Sequence, residues 1–290
     1  MTSDKHIVRI YGGLGNQLFQ YALYKKFEYM GYETYADTSE IRRGVCGRNY
    51  QLDILGIRLK EAAKKDISAY YAGNKFTKAL IKRIGKQTYY RQRDLFYNEK
   101  ILETKHGYFD GYWQNDKYFK DISDVIKSSI CFPDIDKEDT YTNNIFSEIS
   151  KRKNTVSIHV RLGDYEKLSD IYGGICTLDY YEKAIGYIKD KKEMFNGEEP
   201  LFYVFSNDIK KAEEILNISN AVFVRGHSES DGYIDMNLMS MCNHHIIANS
   251  SFSWWGAYLG EKADSITVAP SKWMKDIDAK EVVPLNWHLI

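Results

Sequence analysis

The second half of the chain alternates short apolar runs with amphipathic segments. Runs of apolar and β-branched residues predict strands at 155–160, 201–205, 221–224, 245–248 and 265–268. Between them, apolar positions recur at helical spacing and predict helices near 178–190, 208–217, 231–242 and 252–261. Strands that alternate with helices imply right-handed crossovers and a parallel sheet. This half therefore reads as a doubly wound, Rossmann-like α/β domain, which binds its ligands at the carboxyl ends of the strands.

The first half begins in the same way and then loses its clear pattern. A strand at 6–11 precedes a glycine turn and a helix at 17–30, and residues 60–100 are basic, tyrosine-rich and mostly helical in propensity. An acidic stretch at 134–139 and a helix around 143–152 lead into the second sheet. We therefore predict two α/β domains facing a cleft, with bounds 1–150 and 151–290.

Composition narrows the class of protein. Forty basic residues cancel forty acidic ones in a chain of 290 residues, which argues against a nucleic-acid partner. Four scattered cysteines without a CxxC pair indicate reduced thiols. The sequence shows neither a signal-type start nor an apolar run near 18 residues. We expect a cytoplasmic protein without a transmembrane segment, and leave open its association with the inner face of the membrane and its oligomeric state.

A glycine-rich turn follows the first strand, in the sequence Gly12-Gly13-Leu14-Gly15-Asn16-Gln17. It matches neither G-x-G-x-x-G nor a Walker loop. One interpretation is a tight connection between strand and helix. The other is a polar contact facing the cleft, in which Gly13 and Gly15 let the backbone approach a ligand and Asn16 contacts it.

Charged residues follow the strands predicted at 155–160 and 201–205. Arg161 lies on the same face as His159, and its guanidinium suits a phosphate. Asp164 either holds Arg161 in a structural pair or accepts a proton. Asp208 can accept from the adjacent N–H groups of a guanine or cap the following helix, and the two roles do not exclude each other.

The segment Ser250-Ser251-Phe252-Ser253 joins the strand at 245–248 to a helix that carries Trp254 and Trp255. A helix N-terminus attracts phosphate, although a serine cap on a core helix is the alternative. Together the three strand ends predict a nucleoside diphosphate site, with Asp208 at the base and Arg161 and Ser250–Ser253 at the phosphates. Short acidic pairs lie in polar segments and are interpreted as solvated loops, so no metal site is expected.

Five motifs occur in the order found in the α-1,2-fucosyltransferases of glycosyltransferase family 11, which the chain resembles from about residue 7 to 260. They are Gly12-Gly13-Leu14-Gly15-Asn16-Gln17-Leu18-Phe19-Gln20-Tyr21-Ala22, Gly111-Tyr112-Trp113-Gln114, His159-Val160-Arg161-Leu162-Gly163-Asp164-Tyr165, Phe205-Ser206-Asn207-Asp208 and Ser250-Ser251-Phe252-Ser253-Trp254-Trp255-Gly256-Ala257. The resemblance implies a GT-B-like fold, GDP-fucose as donor, inversion at the anomeric carbon and no required metal or other cofactor. It also implies an acceptor glycan with a terminal galactose, fucosylated at its 2-hydroxyl as in H-antigen-type structures of bacterial surface polysaccharides.

The resemblance assigns roles to individual residues. Arg161 matches the arginine that holds the β-phosphate, and His159 is its neighbour in the donor site. Asp208 matches the second acidic position of the usual Ser-Asp-Asp, in which Asn207 replaces the first aspartate. Leu162 stands where many relatives carry a second arginine, which reduces the expected positive charge.

The hypothesis for the reaction is direct displacement of GDP by the acceptor hydroxyl. Its catalytic residues are Arg161, Asp164 as general base, and Asn16. Trp113 and Gln114 are predicted to bind the acceptor. The donor-binding set is Gly13, Gly15, Asn16, His159, Arg161, Asp208, Ser250, Ser251, Phe252 and Ser253. Two alternatives stay open: a fucosyltransferase of another linkage, α-1,6 or protein O-, and a noncatalytic carbohydrate-binding protein.

Overall fold

The chain folds into two compact units, Met1–Cys131 and Phe132–Ile290. The computed structural model describes residues 5–45, 47–71, 89–162, 170–171, 173–195 and 197–290. Each unit is built on its own parallel sheet. The predicted α/β class, with one Rossmann-like sheet in each half, is therefore confirmed, whereas the cleft between the halves stays a prediction.

The first unit carries, among its described residues, a four-stranded sheet in the order β2-β1-β4-β3. All its neighbouring strands are parallel. Its strands are β1 Lys5–Arg9, β2 Glu33–Asp37, β3 Tyr89–Arg91 and β4 Gly107–Asp110. Its helices are α1 Leu14–Tyr29, α2 Lys64–Tyr71 and α3 Ser123–Ser129.

The second unit carries, within the part of the chain described, a six-stranded parallel sheet in the order β12-β9-β8-β5-β6-β7. Its strands are β5 Thr155–Val160, β6 Leu201–Ser206, β7 Ala221–Phe223, β8 His244–Ile246, β9 Thr267–Ala269 and β12 His288–Leu289. A small antiparallel pair, β10 Lys272–Met274 and β11 Ile277–Asp278, lies between β9 and β12 in the chain. The helices are α4 Thr140–Lys151, α5 Leu178–Lys189, α6 Ile209–Ile215, α7 Gly232–Met241 and α8 Ser251–Gly260.

The central strand β5 is buried along its whole length, as expected for a parallel sheet covered on both faces. Its apolar side chains Val156, Ile158 and Val160 pack with α5 in one core cluster. A second cluster joins α4 and α7 through residues such as Ile149 and Met239. Burial on both faces explains why the strands of this unit are near-continuous apolar runs in the sequence.

The boundary between the units lies earlier than the predicted division at 150. Helix α4 belongs to the second unit, where Ile145 and Ile149 join its core. The acidic stretch at 134–139 ends in the N-cap of this helix. Asp139 accepts hydrogen bonds from the backbone N–H of Thr142 at 3.1 Å and from its hydroxyl at 2.6 Å.

The predicted strands and helices of the second unit all form, with ends shifted by at most three residues, the largest shift being at the start of α4. In the first unit, β2, β3 and β4 were not predicted, and β12 was missed at the end of the chain. These strands have only two to five residues, too few for a clear alternation of side chains. None of the described helices is both long and apolar enough to cross a membrane.

Candidate active site

The sheet of the second unit reverses its winding between β5 and β8. From β5 the chain continues to β6 and β7 on one side, and from β8 it continues to β9 and β12 on the other. Doubly wound sheets bind their ligands outside the carboxyl ends of the strands at such a switch point. Arg161 directly follows β5, and Ser250 lies four residues beyond Ile246 at the end of β8. Two parts of the predicted nucleotide site therefore emerge at the position that the topology favours.

Ser250 is the N-cap of α8. Its hydroxyl accepts a hydrogen bond of 3.3 Å from the N–H of Phe252, and its carbonyl accepts one of 2.9 Å from the N–H of Trp254. The other first-turn N–H groups have no partner inside the helix, and the helix dipole gives this end a partial positive charge. The serine cap and the phosphate site, posed as alternatives, are compatible, because capping uses only some of these donors.

The turn before α8 is fixed by buried side chains. Asn249 donates to the carbonyl of Trp273 at 3.1 Å and accepts from the thiol of Cys176 at 3.4 Å. Ser253 is fully buried and its hydroxyl lies within 3.3 Å of the carbonyls of Ala248 and Ser250. Ser253 therefore stabilises the turn, and this geometry does not support its predicted contact with a phosphate.

The two tryptophans, Trp254 and Trp255, anchor α8 in the core. Both are fully buried, and the indole N–H of Trp254 donates to the carbonyl of Val282 at 3.2 Å. The Trp254 ring also stacks on Tyr258, with centroids 4.6 Å apart. The helix is therefore held rigidly behind its N-terminal turn.

His159 joins the end of β5 to the first turn of α8. Its buried ring lies 5.6 Å from the ring of Phe252, and its carbonyl accepts a 3.0 Å hydrogen bond from the hydroxyl of Tyr181. Burial, together with a smaller contribution from the charge of Arg161, lowers the pKa of His159 to about 3. The imidazole is therefore neutral, and Arg161, His159 and Phe252 are neighbours at one edge of the sheet.

Asp208 is exposed and forms the N-cap of α6, where it accepts from the N–H of Lys211 at 3.2 Å. The capping interpretation is therefore confirmed for this residue. Its contact with a guanine base stays a prediction, as does the general-base role of Asp164, which lies outside the described residues.

The glycine turn and the Trp113 segment of the first unit meet through two predicted side chains. Gln114 donates a 2.6 Å hydrogen bond to the amide oxygen of Asn16. Gly12 has a φ of 84°, and a Cβ there would lie 3.2 Å from the Tyr112 ring, so glycine is required. Gly13 precedes α1 as its N-cap, and Gly15 is buried inside that helix, so Gly15 does not offer the open backbone that was predicted.

The segment around Trp113 is held in an unusual conformation. Trp113 has a φ of 57°, and the Gln92 oxygen accepts from the N–H groups of Tyr112 and Trp113 at 2.9 and 2.8 Å. The indole is buried and packs edge-on against Tyr118. The ring is therefore a core element, and the acceptor-binding role of Trp113 stays a prediction. Its left-handed backbone is a strained conformation of a kind that clusters at functional sites.

Sequence reasoning missed a charged network at the carboxyl edge of the first sheet. Arg9, the last residue of β1, pairs with Asp110 at 2.8 Å and also with Glu40. The hydroxyl of Tyr89 donates to the same Asp110 carboxylate at 2.6 Å. The sequence contains one pattern that could have indicated this network, namely a charged residue at the last position of a buried strand. It occurs at Arg9, Asp37 and Asp110.

Burial of neutral histidines makes the second unit sensitive to acid. His245 is fully buried in β8 beside Ser157, and burial lowers its pKa to about 3 from an ordinary value near 6.5. The unfolded chain then binds the proton that the folded chain cannot, so stability falls as the pH drops below about 6.5. Between pH 7 and pH 5, we expect the free energy of unfolding of the His245→Asn variant to fall by about 2 kcal/mol less than that of wild type. Urea unfolding at the two pH values measures this difference.

His227 supplies a control of opposite sign. Its hydrogen bond of 2.8 Å to Asp235 raises its pKa, with Asp139 adding to the effect. The stabilisation that protonated His227 gives the fold is fully present below about pH 6.5. It is lost as the pH rises through the raised pKa of His227. His227→Asn should therefore lose relatively more stability at pH 5 than at pH 8. Parallel pH dependence in both variants would contradict the assignment.

Comparison with known proteins identifies the family to which the chain belongs. The sequence profile of glycosyl transferase family 11 matches residues 4–290, and the chain belongs to that family. It is similar to the α-1,2-colitosyltransferase of Escherichia coli, with 33% identity over 311 residues and 97% of each chain covered. It is also 32% identical over 305 residues to the E. coli O-antigen biosynthesis glycosyltransferase WbnK, covering 95% of this chain and 97% of the relative.

A shorter match links the chain to animal enzymes. It is 30% identical over 114 residues to galactoside α-(1,2)-fucosyltransferase 2 of Bos taurus, covering 38% of this chain and 32% of the relative. The protein is therefore a glycosyltransferase related to the α-1,2-fucosyl- and α-1,2-colitosyltransferases.

Proposed function

We propose that this enzyme transfers L-fucose from GDP-fucose to the 2-hydroxyl of a terminal galactose, forming an α-1,2 linkage with inversion and without a metal. The observation that carries the proposal is the meeting of Arg161, His159 and the N-terminal turn of α8 at the switch point of the sheet. Similarity to a galactoside α-(1,2)-fucosyltransferase supports the donor and the acceptor.

The proposed step moves one sugar and one proton. The galactose 2-hydroxyl attacks fucose C1, the C1–O bond to the diphosphate breaks, and GDP departs with the bonding electrons. Arg161 and the N–H groups at the start of α8 stabilise the negative charge that develops on the diphosphate. Asp164 is proposed to take the hydroxyl proton. His159 is a poor candidate for this role, because a pKa of about 3 makes its imidazole a weak base.

A second candidate is the same transfer with colitose. The full-length similarity to an α-1,2-colitosyltransferase favours it. Colitose lacks the 3-hydroxyl of fucose, so the two donors differ by one hydrogen-bonding group. A site that hydrogen-bonds this hydroxyl would reject the deoxy sugar strongly, whereas an apolar pocket would discriminate weakly.

The test compares GDP-fucose and GDP-colitose with a lactose acceptor, with and without EDTA. We expect kcat/KM for GDP-fucose to be higher by at least about tenfold, with turnover unchanged by EDTA. Methylation analysis of the product should place the new bond at galactose O2. A preference for GDP-colitose would favour the second candidate.

The remaining alternatives give distinct results in this experiment and in a calorimetric titration with GDP. Another linkage would appear directly in the methylation analysis. A noncatalytic carbohydrate-binding protein would show neither turnover nor GDP affinity by calorimetry. Loss of turnover in EDTA that returned with a divalent cation would overturn the metal-free reaction.

A further inference from the structure

Asn207 forms a reciprocal pair with the backbone of Leu162. Its side-chain oxygen accepts from the Leu162 N–H at 2.9 Å, and its side-chain NH₂ donates to the Leu162 carbonyl at 3.0 Å. A carboxamide carries both a donor and an acceptor on one short side chain. Aspartate of the same shape would lose the donor, and alanine would lose both bonds.

The pair begins where the β-ladder ends. The register between β5 and β6 runs from Thr155 opposite Leu201 to Val160 opposite Ser206, and no further. Arg161 is the next residue, and Leu162 after it is held by the Asn207 side chain. The backbone of Arg161 is therefore fixed on one side by the β-ladder. On the other side it is fixed by the two hydrogen bonds between Asn207 and Leu162, which we call the clamp.

Fixing the backbone of Arg161 has a consequence for ligand binding. A guanidinium that must be ordered when a ligand arrives costs conformational entropy, and this cost is reduced if its backbone is already fixed. Asn207 itself is exposed, and its bonds hold a strand end instead of filling a core. A side chain in this position contributes more to the order of the strand end than to the stability of the fold.

We propose that Asn207 is a positioning residue that acts through Arg161 to bind the donor diphosphate. This inference rests on the proposed function, because it takes the diphosphate of GDP as the ligand of Arg161. Asn207 touches no reacting atom, and its effect should disappear when the guanidinium is absent.

The test is a double-mutant cycle on GDP affinity, measured by calorimetry in wild type, Asn207→Ala, Arg161→Ala and the double variant. We expect Asn207→Ala to weaken GDP binding about tenfold in the wild-type background and less than about twofold in the Arg161→Ala background. Hydrogen exchange at the Leu162 N–H should become faster in Asn207→Ala.

Asn220→Ala is the matched control. Asn220 also donates to a backbone carbonyl, that of Pro200 at 2.7 Å, but it lies at the amino edge of the same sheet. We expect this variant to leave GDP affinity unchanged in both backgrounds. It therefore separates loss of the clamp from general loosening of the second unit.

The outcomes separate this inference from the proposed function. Suppose that wild type binds GDP. If Asn207→Ala then weakens GDP binding equally in both backgrounds, or in neither, the positioning role of Asn207 is overturned and the proposed function is not. Wild type that does not bind GDP would overturn both. Unchanged hydrogen exchange at Leu162 would show that the pair does not order this strand end, and would also overturn the clamp.

Discussion

Replacing Arg161 with alanine is expected to reduce kcat with GDP-fucose by about 10²–10³-fold, equivalent to about 2.7–4 kcal/mol of transition-state stabilisation. The physical reason is the charge that develops on the departing diphosphate. Arg161 follows β5 at the switch point, close enough to His159 for its charge to affect the pKa of that imidazole. Steady-state kinetics with saturating acceptor measures the change directly.

Two further variants give this prediction its controls. Arg161→Lys keeps the charge but loses the planar fork, so its rate should lie between those of wild type and Arg161→Ala. Arg152 lies before β5 at the other edge of the sheet, where it pairs with Glu148 at 3.4 Å, and Arg152→Ala should keep wild-type kinetics. Wild-type turnover in Arg161→Ala would show that another group stabilises the leaving GDP.

The substitution Gly260→Ala is expected to destabilise the second unit by about 3 kcal/mol. Gly260 is the last residue of α8, and a Cβ there would lie 2.3 Å from the backbone oxygen of Ser240 in α7. A backbone contact of this kind cannot be relieved by rotating a side chain, so α8 must move away from α7. Thermal unfolding should shift downward by about 6–12 °C.

Gly186→Ala is the matched control for this prediction. Gly186 lies inside α5, and a Cβ there would meet nothing within 4 Å. Alanine has the higher helix propensity, so the variant should gain about 0.5–1 kcal/mol. If both variants unfolded at the wild-type temperature, the close approach of α8 to α7 would be wrong. Gly260→Ala should also weaken GDP binding, because the same helix carries the Ser250 turn.

The sequence was sufficient to predict five of the six strands of the second sheet, with β12 as the exception. Its strands are buried on both faces, so each appears as an apolar run, and the polar residues that follow β5 and β8 stand out against them. The sequence alone therefore assigns Arg161 and Ser250 to one edge of a sheet. The winding of a parallel sheet then brings these two strand ends together.

Other features depend on distances that no local pattern contains. Arg9 and Asp110 are 101 residues apart, and their ion pair follows from β1 and β4 being neighbours in the sheet. The left-handed backbone of Trp113 reflects tertiary contacts with Gln92, because tryptophan has no local preference for that conformation. The sequence could rank Trp113 as important, but only the packing shows that its ring is a core element.

Residues near the end of the chain hold the turn before α8 and the helix itself, through hydrogen bonds that the carbonyls of Trp273 and Val282 accept. Their carbonyls hold Asn249, in the turn before α8, and Trp254, within that helix. The final twenty residues thus support the Ser250 turn and α8, and the Trp287 ring lies 5.5 Å from that of Trp254. Shortening the chain from this end should loosen the turn before α8, and with it the proposed donor site, while leaving β5, β6 and β7 paired.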